Sequence, residues 1–302
     1  MGQPGPSPNV YFSPGGESDP RLPPGSGDRW PKILGGGDSS ARNVWVAVAS
    51  TVIFFGFLAI IVVRSPGWPA IKESFFNAAE FRSSFPLILQ KFVRNIFIFC
   101  IAEVLVLILA LFIAVLRSLP GAVFTPLRIM AAAYTDLFRG VPTILVIFLL
   151  GYGMPALELQ GIPDSDYLWG ILALTLVYSA YVAEVYRAGI QSVHPSQVAA
   201  ARSLGLSRWQ SMRHVVLPQA VRRVIPPLLN DFIGLQKDSA LVFVLGVVDA
   251  LGQAQIIQQG DFNFTPFVAL SLIFIVITIP QARLVDWLIA RDQRKRQSSA
   301  AV

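Results

Sequence analysis

An uninterrupted apolar segment near the start of the chain limits what this sequence can fold into. Residues 44–63 read VWVAVASTVIFFGFLAIIVV and contain no charged residue. At about 1.5 Å per residue, a helix of this length crosses a hydrocarbon layer about 30 Å thick. Over the whole chain, 54% of the residues are hydrophobic and 14% are charged, which is more apolar than one soluble core needs. The sequence therefore predicts an integral membrane protein.

Five further apolar segments follow, so we predict an all-α fold with about six transmembrane helices. Their ranges are 96–116, 141–156, 167–185, 224–251 and 264–279. The third span is only just long enough to cross a bilayer. The fifth contains Pro226 and Pro227 with several polar residues, so we expect an interrupted helix there. The sixth is free of charge up to Pro280.

The remaining segments divide the chain. Of the first 40 residues, 17 are Gly or Pro, so this stretch has too little apolar surface to offset its ordering entropy, and we predict disorder. The predicted organisation is a disordered cytoplasmic tail over 1–43, an extra N-terminal helix over 44–63, an extracytoplasmic connection over 64–95, a five-helix core over 96–290 with a loop over 187–223, and a basic cytoplasmic tail over 291–302.

The distribution of basic residues predicts the orientation. With the N-terminal tail inside, the inner segments contain 18 Lys and Arg residues and the outer segments contain five. Cytoplasmic segments of membrane proteins carry such an excess, so both termini are expected in the cytoplasm. The same bias accounts for the net charge of +6 without a nucleic-acid partner.

The inner loop over 187–223 has the pattern of two short helices joined by a tight turn. An Ala-rich helix is expected over 197–204, and Gly205 is expected to end it in a left-handed conformation. Ser207 and Gln210 have the spacing of a capping box, which predicts the start of the second helix. Pro218 is expected to end that helix.

Two functions compete for this helix pair. A DNA-binding helix-turn-helix needs a third helix, and the roughly 40 residues between two membrane spans leave no room for one. A cytoplasmic docking element, which passes movement from a soluble partner into the membrane helices, fits the position better. We therefore expect no nucleic-acid partner.

The same loop resembles the EAA loop of ABC-importer permeases, and more specifically that of the polar amino acid permeases. The resemblance continues in LFRGVPTILV (137–146), AYVAEVYRAGIQSV (180–193) and LLNDFIGLQKDSAL (228–241), in the same order along the chain. It covers roughly residues 75 to 290. Carried onto this sequence, the ATPase-coupling positions are Gln197, Ala199, Ala200, Ala201, Leu204, Gly205, Leu206, Arg208, Leu217 and Pro218.

The sequence departs from the family pattern at informative positions. Ala199 occupies the slot of the signature glutamate and Ser196 that of a preceding glycine, so a charged contact to the ATPase is missing from this position. The phrase Lys-Asp-Thr-Ser-Leu of the subfamily reads KDSAL over 237–241. The helix over 44–63 and the tail before it also exceed the family's usual five spans.

The resemblance implies a permease subunit of a prokaryotic cell-membrane importer, with no catalytic chemistry of its own. It implies an ABC ATPase dimer, a second permease subunit, an extracytoplasmic solute-binding protein and surrounding membrane lipid as partners. The substrate implied is a polar amino acid of the glutamate, glutamine or basic class. The chain contains no G-x-x-x-x-G-K-[ST] phosphate loop, so ATP and Mg belong to the partner ATPase and no cofactor is expected on this chain. With one cysteine, Cys100, and two histidines, no disulfide or metal site is expected.

Polar residues inside the spans are the candidates for the substrate path. An ionised side chain at the centre of a bilayer costs at least about 2.5 kcal/mol, so it must face a partner or a cavity. Glu103 either lines the path or pairs with another span, and Glu184 with Arg187, three residues on, is more consistent with a structural pair. The candidates are Glu103, Glu184, Asn230, Asp231, Lys237 and Asp238.

Two other function classes remain open. An ion-coupled secondary amino acid transporter would also use intramembrane acids, although it has no use for a docking loop and usually shows internal repeats. A membrane scaffold without transport activity would tolerate the loss of these buried charges.

Overall fold

A computed structural model describes residues 40–300, with side chains described for 43–291, and the described residues form helices and no strand. The helices are α1 (Ser40–Arg64), α2 (Trp68–Phe75), α3 (Ala78–Ser118), α4 (Thr125–Gly140), α5 (Thr143–Gly151), α6 (Asp166–Gln191), α7 (Pro195–Ser203), α8 (Arg208–Ser211), α9 (Leu217–Asp238), α10 (Ala250–Asp261) and α11 (Thr265–Ala300). This confirms the predicted all-α class.

The chain divides into two units, one up to Ser65 and one from Pro66 onward. In the first unit, α1 contains the predicted N-terminal span, and residues 43–64 have a length and hydropathy that suit a membrane crossing. Their side chains are all exposed, as expected of a helix whose solvent is lipid. The tail predicted over 1–43 lies almost wholly outside the described residues.

In the second unit, α3 begins 18 residues earlier than the predicted start at Ile96, because Ala78 is its first residue. The connection predicted over 64–95 is therefore largely helical, in α2 and the first turns of α3. Asn77 caps α3 by accepting from the amides of Ala79 and Glu80. Ser84, Ile88 and Phe92 are buried at helical spacing, so packing rather than an uncharged sequence sustains this part of the helix.

The third predicted span is wrong as a single crossing over 141–156. Its helix α5 has nine residues, which at about 1.5 Å each reach less than half of a bilayer. The segments 122–140 and 143–157 form one apolar pair bent by 102°. Pro142 lies at the bend, where it interrupts the helical hydrogen bonds between α4 and α5.

Helix α6 lies at the centre of the second unit and packs against α3, α4, α5 and α9. It extends the predicted fourth span of 167–185 at its carboxyl end, to Gln191. Leu174, Val177 and Ala180 are completely buried. A helix that is apolar on most faces is expected in the middle of a bundle.

The predicted interruption of the fifth span at Pro226 and Pro227 is wrong, because α9 is continuous through both prolines. Each proline removes one backbone donor, but the contact with α6 holds the helix together. The break comes later, in a 3₁₀ turn over Ser239–Leu245, and the chain bends by 52° before α10.

The last helix, α11, likewise continues through Pro280, past the predicted end of the sixth span at Ile279. Among the described residues, four helices are long and apolar enough to cross a membrane, or six crossings if each bent pair is one. This agrees with about six predicted spans. The tail predicted over 291–302 is helical up to Ala300, and its side chains after Arg291 lie outside the described residues.

Candidate coupling loop and membrane-embedded polar site

The turn between the two loop helices is a Schellman motif, formed at the end of α7. The Leu206 amide donates to the Ala201 carbonyl at 3.2 Å, and the Gly205 amide donates to the Arg202 carbonyl at 3.0 Å. Gly205 has φ of +86°, in the left-handed region that the sequence predicted for it. The first loop helix therefore ends where expected.

The second loop helix begins at the predicted capping box. The Gln210 amide donates to the Ser207 hydroxyl at 3.2 Å, and the Ser207 amide donates to the Gln210 side-chain oxygen at 2.8 Å. The prediction that Pro218 ends this helix is wrong. A π-helical segment, Met212–Val216, joins α8 to α9 without a break, so Pro218 lies within a continuous helix. The irregular π-helical turn directly before Pro218 accommodates its missing amide.

The predicted coupling positions lie on different surfaces of the loop. Ala201 is buried, and Leu217 and Pro218 belong to the start of α9. The remaining positions are half-buried or exposed: Gln197, Ala199, Ala200, Leu204, Gly205, Leu206 and Arg208. Leu204 is 84% exposed, and Trp209, which the sequence analysis did not select, is 70% exposed. Large apolar side chains this open beside a hydrophilic turn are typical of an interaction surface.

The charge of the loop is of one sign. Between Arg187 and Arg223 the sequence contains six arginines and no Asp or Glu. Arg202, Arg208 and Arg213 are exposed around the turn. No carboxylate of the described residues forms an ion pair with these three arginines, so this surface favours an acidic partner.

The two helices that carry the loop are joined at its base. A Cβ at Gly189 of α6 would lie 2.1 Å from Val224 Cγ1 of α9, so only glycine allows this close approach. The Arg223 side chain donates to the Ser192 carbonyl. The Gln219 side-chain amide donates to the Gln197 side-chain oxygen at 2.6 Å. The end of α6, the start of α9 and the first loop helix are therefore held as one body.

The four polar candidates of α9 lie on two faces. Asp231 and Asp238, seven residues apart, are partly buried, whereas Asn230 and Lys237 are exposed. The Tyr178 hydroxyl of α6 donates to Asp238 Oδ2 at 3.0 Å. Asp231 Oδ2 is buried and has no hydrogen-bond partner among the described residues. The Asp238 carboxylate is thus hydrogen-bonded to Tyr178, whereas Asp231 retains an oxygen that can accept a hydrogen bond.

Glu103 of α3 is half-buried and lies close enough to Asp231 to interact electrostatically with it. Within the described residues it has no ion pair or hydrogen bond, so the predicted internal pairing with another span is not found there. Two neighbouring carboxylates in a low-dielectric site, of which only Asp231 is influenced by a protein cation, Arg139, attract a further cationic group.

Glu184 takes part in a larger ion-pair cluster than the sequence predicted. It pairs with Arg187, as expected, and also accepts from Arg117 Nη1 of α3 at 2.9 Å. The same Arg117 Nη1 donates to the Thr135 hydroxyl of α4 at 3.0 Å. Arg117 and Thr135 escaped sequence reasoning because they are far apart along the chain and belong to no motif.

A second buried polar contact joins α3 to the bend before α10. Asn95 donates to Asp249 Oδ2 at 2.7 Å and accepts from the Ala250 amide at 3.0 Å. Asp249 also caps α10 by accepting from the Gly252 amide at 2.8 Å. An Asp directly before a helical segment is a recognisable cap signal, which the sequence analysis did not use.

Comparison with known proteins identifies a matching family and several relatives. Residues 107–293 match the family described as "Binding-protein-dependent transport system inner membrane component". The probable glutamine ABC transporter permease protein GlnM of Bacillus subtilis (strain 168) is 34% identical over 219 residues, which cover 72% of this chain and 99% of that protein. The arginine transport system permease protein ArtQ of the same organism is 30% identical over 195 residues, covering 64% and 87%.

A solved structure agrees with these relatives. The crystal structure of an amino acid ABC transporter with histidines contains a chain that is 34% identical and superposes with a TM-score of 0.62, covering 68% of this chain and 94% of that one. The apolar helices and these relatives describe a multi-pass inner membrane protein. The chain therefore belongs to the family of binding-protein-dependent transport system inner membrane components, as a member of its polar amino acid ABC permeases.

Proposed function

We propose that this protein is the permease subunit of an ATP-driven importer, in which a separate ABC ATPase dimer binds the loop between α6 and α9. The observation that carries the proposal is the loop itself, which presents Leu204, Trp209 and unneutralised arginines at the end of a rigid helix pair. Because Ala199 offers no charge, the ATPase contact rests on these apolar side chains and on Arg208. The loop lies on the cytoplasmic side, with both termini, as the excess of basic residues indicates.

The substrate is a polar amino acid, as the glutamine and arginine in the names of the relatives suggest. Asp231 and Glu103 bind its ammonium group, or the cationic side chain of a basic amino acid. Asp238 is less available because Tyr178 donates to it. Glu184 contributes through its two arginines rather than by touching the substrate.

A second permease subunit, identical or homologous, completes the path. Lys237 and Asn230 lie exposed on one face of α9, and a lysine that faces lipid is costly unless it reaches the interface. A facing subunit and a water-filled path between the two chains remove that cost. An extracytoplasmic solute-binding protein delivers the amino acid.

Co-purification followed by an ATPase assay tests this function. The tagged chain is purified from its native membrane in mild detergent and reconstituted in nanodiscs. We expect an ATPase subunit in the complex, with hydrolysis that rises when the binding protein is supplied with glutamine, arginine or histidine. Recovery of a chain that transports these amino acids without any ATPase would refute the proposal and favour ion-coupled transport.

A further inference from the structure

An ion-pair cluster connects α6, which leads into the coupling loop, with α3 and α4. Its members are Arg117, Thr135, Glu184 and Arg187, which we call the clasp. Relying on the proposed function, we propose that Arg117 and Thr135 are positioning residues, which tie α4 to the base of the loop so that loop movement reaches the path.

The clasp begins at Glu184, two turns before the end of α6. Glu184 accepts from Arg187 Nε at 2.9 Å, and Arg187 Nη1 donates to Gln191, the last residue of α6, at 2.5 Å. Because the end of α6 is already joined to α9 through Gly189 and Val224, the loop cannot move without moving Glu184.

From Glu184 the contacts cross to two other helices through one side chain. Arg117 Nη1 donates both to Glu184 Oε2 and to the Thr135 hydroxyl, so it joins the last turn of α3, α4 and α6. Thr135 is completely buried and its hydroxyl also donates to the Ala132 carbonyl. Its orientation is therefore set by the helix, and Arg117 has a fixed acceptor there.

One turn beyond Thr135, α4 carries Arg139 on the same face. The Arg139 guanidinium lies 5.8 Å from the centre of the Tyr181 ring, and the Tyr181 hydroxyl donates to the Arg139 carbonyl at 3.4 Å. Arg139 also interacts electrostatically with Asp231. A shift of α4 that starts at Thr135 therefore changes the distance between the Arg139 guanidinium and the Asp231 carboxylate.

Energetics favour a positioning role over a stabilising one. The three charged side chains of the clasp are 18–29% exposed, and ion pairs that retain contact with water contribute little net stability. Partly buried charges held by several hydrogen bonds do, however, define a geometry.

The test uses the full complex in nanodiscs, with two variants. Thr135→Val removes one acceptor of Arg117, and Arg117→Gln removes the charge. We expect basal ATP hydrolysis and complex formation to stay near the wild-type level. Stimulation by the binding protein with glutamine, arginine or histidine should fall at least about fivefold, the lower end of typical coupling between sites.

Measuring the kcat and KM of uptake distinguishes a positioning role of Arg117 and Thr135 from a role in substrate binding. Both variants should lower kcat and leave KM for the amino acid unchanged, and Arg117→Lys should restore part of the stimulation. Asp286→Asn, which breaks the exposed pair with Arg283 on α11, is the matched control and should change nothing. Full stimulation in both variants would overturn the inference, and so would a higher KM with normal stimulation.

If either variant loses the complex, melting of the isolated chain in detergent shows whether it still folds. Loss of folding in both variants would overturn the positioning role in favour of a structural one. If the wild-type chain brings down no ATPase, the proposed function itself fails, which is a different result from a wild-type complex whose variants keep their coupling.

Discussion

Gly205 offers a direct test of the coupling loop, because the structure separates backbone strain from side-chain clash at this position. Its φ is +86°, and a Cβ placed there meets nothing within 4 Å. A substitution therefore acts through the backbone alone. For an L-residue the left-handed conformation costs about 1–2 kcal/mol, which lowers the population of the native turn about 5–30-fold.

The cost should follow the backbone preference of the replacement rather than its size. Asn tolerates the left-handed region best, Ala less well, and the β-branched Val least. We therefore expect uptake to decrease in the order Gly205, Gly205→Asn, Gly205→Ala, Gly205→Val, with little uptake left in the last. Insertion should be unchanged, because the turn lies outside the spans.

The assay measures ATP-driven uptake of labelled glutamine, arginine and histidine in vesicles, normalised to the amount of chain in the membrane. Gly260→Ala is the matched control, since Gly260 lies within α10, has no positive φ and also has open space around its Cβ. Normal uptake by Gly205→Val would refute the coupling role of the turn. An equal loss in all three variants would refute the backbone argument, because it would indicate that a partner touches the glycine itself.

Three further outcomes follow from the packing and the surface. Gly189→Ala should clash with Val224 and lower the free energy of unfolding by about 1–3 kcal/mol, seen as a lower melting temperature in detergent. Adding Val224→Ala should restore the melting temperature. If the effects of the two substitutions simply add, the contact between these positions is contradicted. Asn95→Leu removes the side-chain donor to Asp249 Oδ2 and the acceptor of the Ala250 amide, and should cost about 1–3 kcal/mol in the same measurement. A stability close to wild type would show that Asn95 does not hold this bend. Trp209→Ala should weaken ATPase association at least about 30-fold, as measured by pull-down titration. Phe262 is 80% exposed on another loop, so Phe262→Ala is the control and should have no effect. Equal binding by both variants would remove Trp209 from the docking surface.

The local features of the loop were predictable because each depends on neighbouring residues alone. The left-handed Gly205 and the capping box of Ser207 and Gln210 both occur where the sequence indicated them. The same holds for the Glu184–Arg187 pair, whose spacing of three residues places both on one helix face.

Proline positions were the least reliable predictors of where helices end. Pro218, Pro226 and Pro227 were expected to end or interrupt helices, and all three lie within α9. A missing donor is a local cost of a few kcal/mol, which contacts along the rest of the helix can offset. The early start of α3 was missed for a related reason, because its buried face alternates with charged residues that hide it in a search for uncharged segments.

By itself, the sequence determined that the chain is a helical membrane protein with two short helices joined by a tight turn between its spans, since apolar length, charge bias and turn chemistry are local quantities. Only the tertiary structure decided which polar side chains meet. Arg117 reaches Glu184 across 67 positions of the chain, and Asp231 lies close enough to Glu103 to interact electrostatically with it. Such pairs depend on how helices pack, and helix packing is set by the summed fit of many apolar side chains, which no single segment encodes.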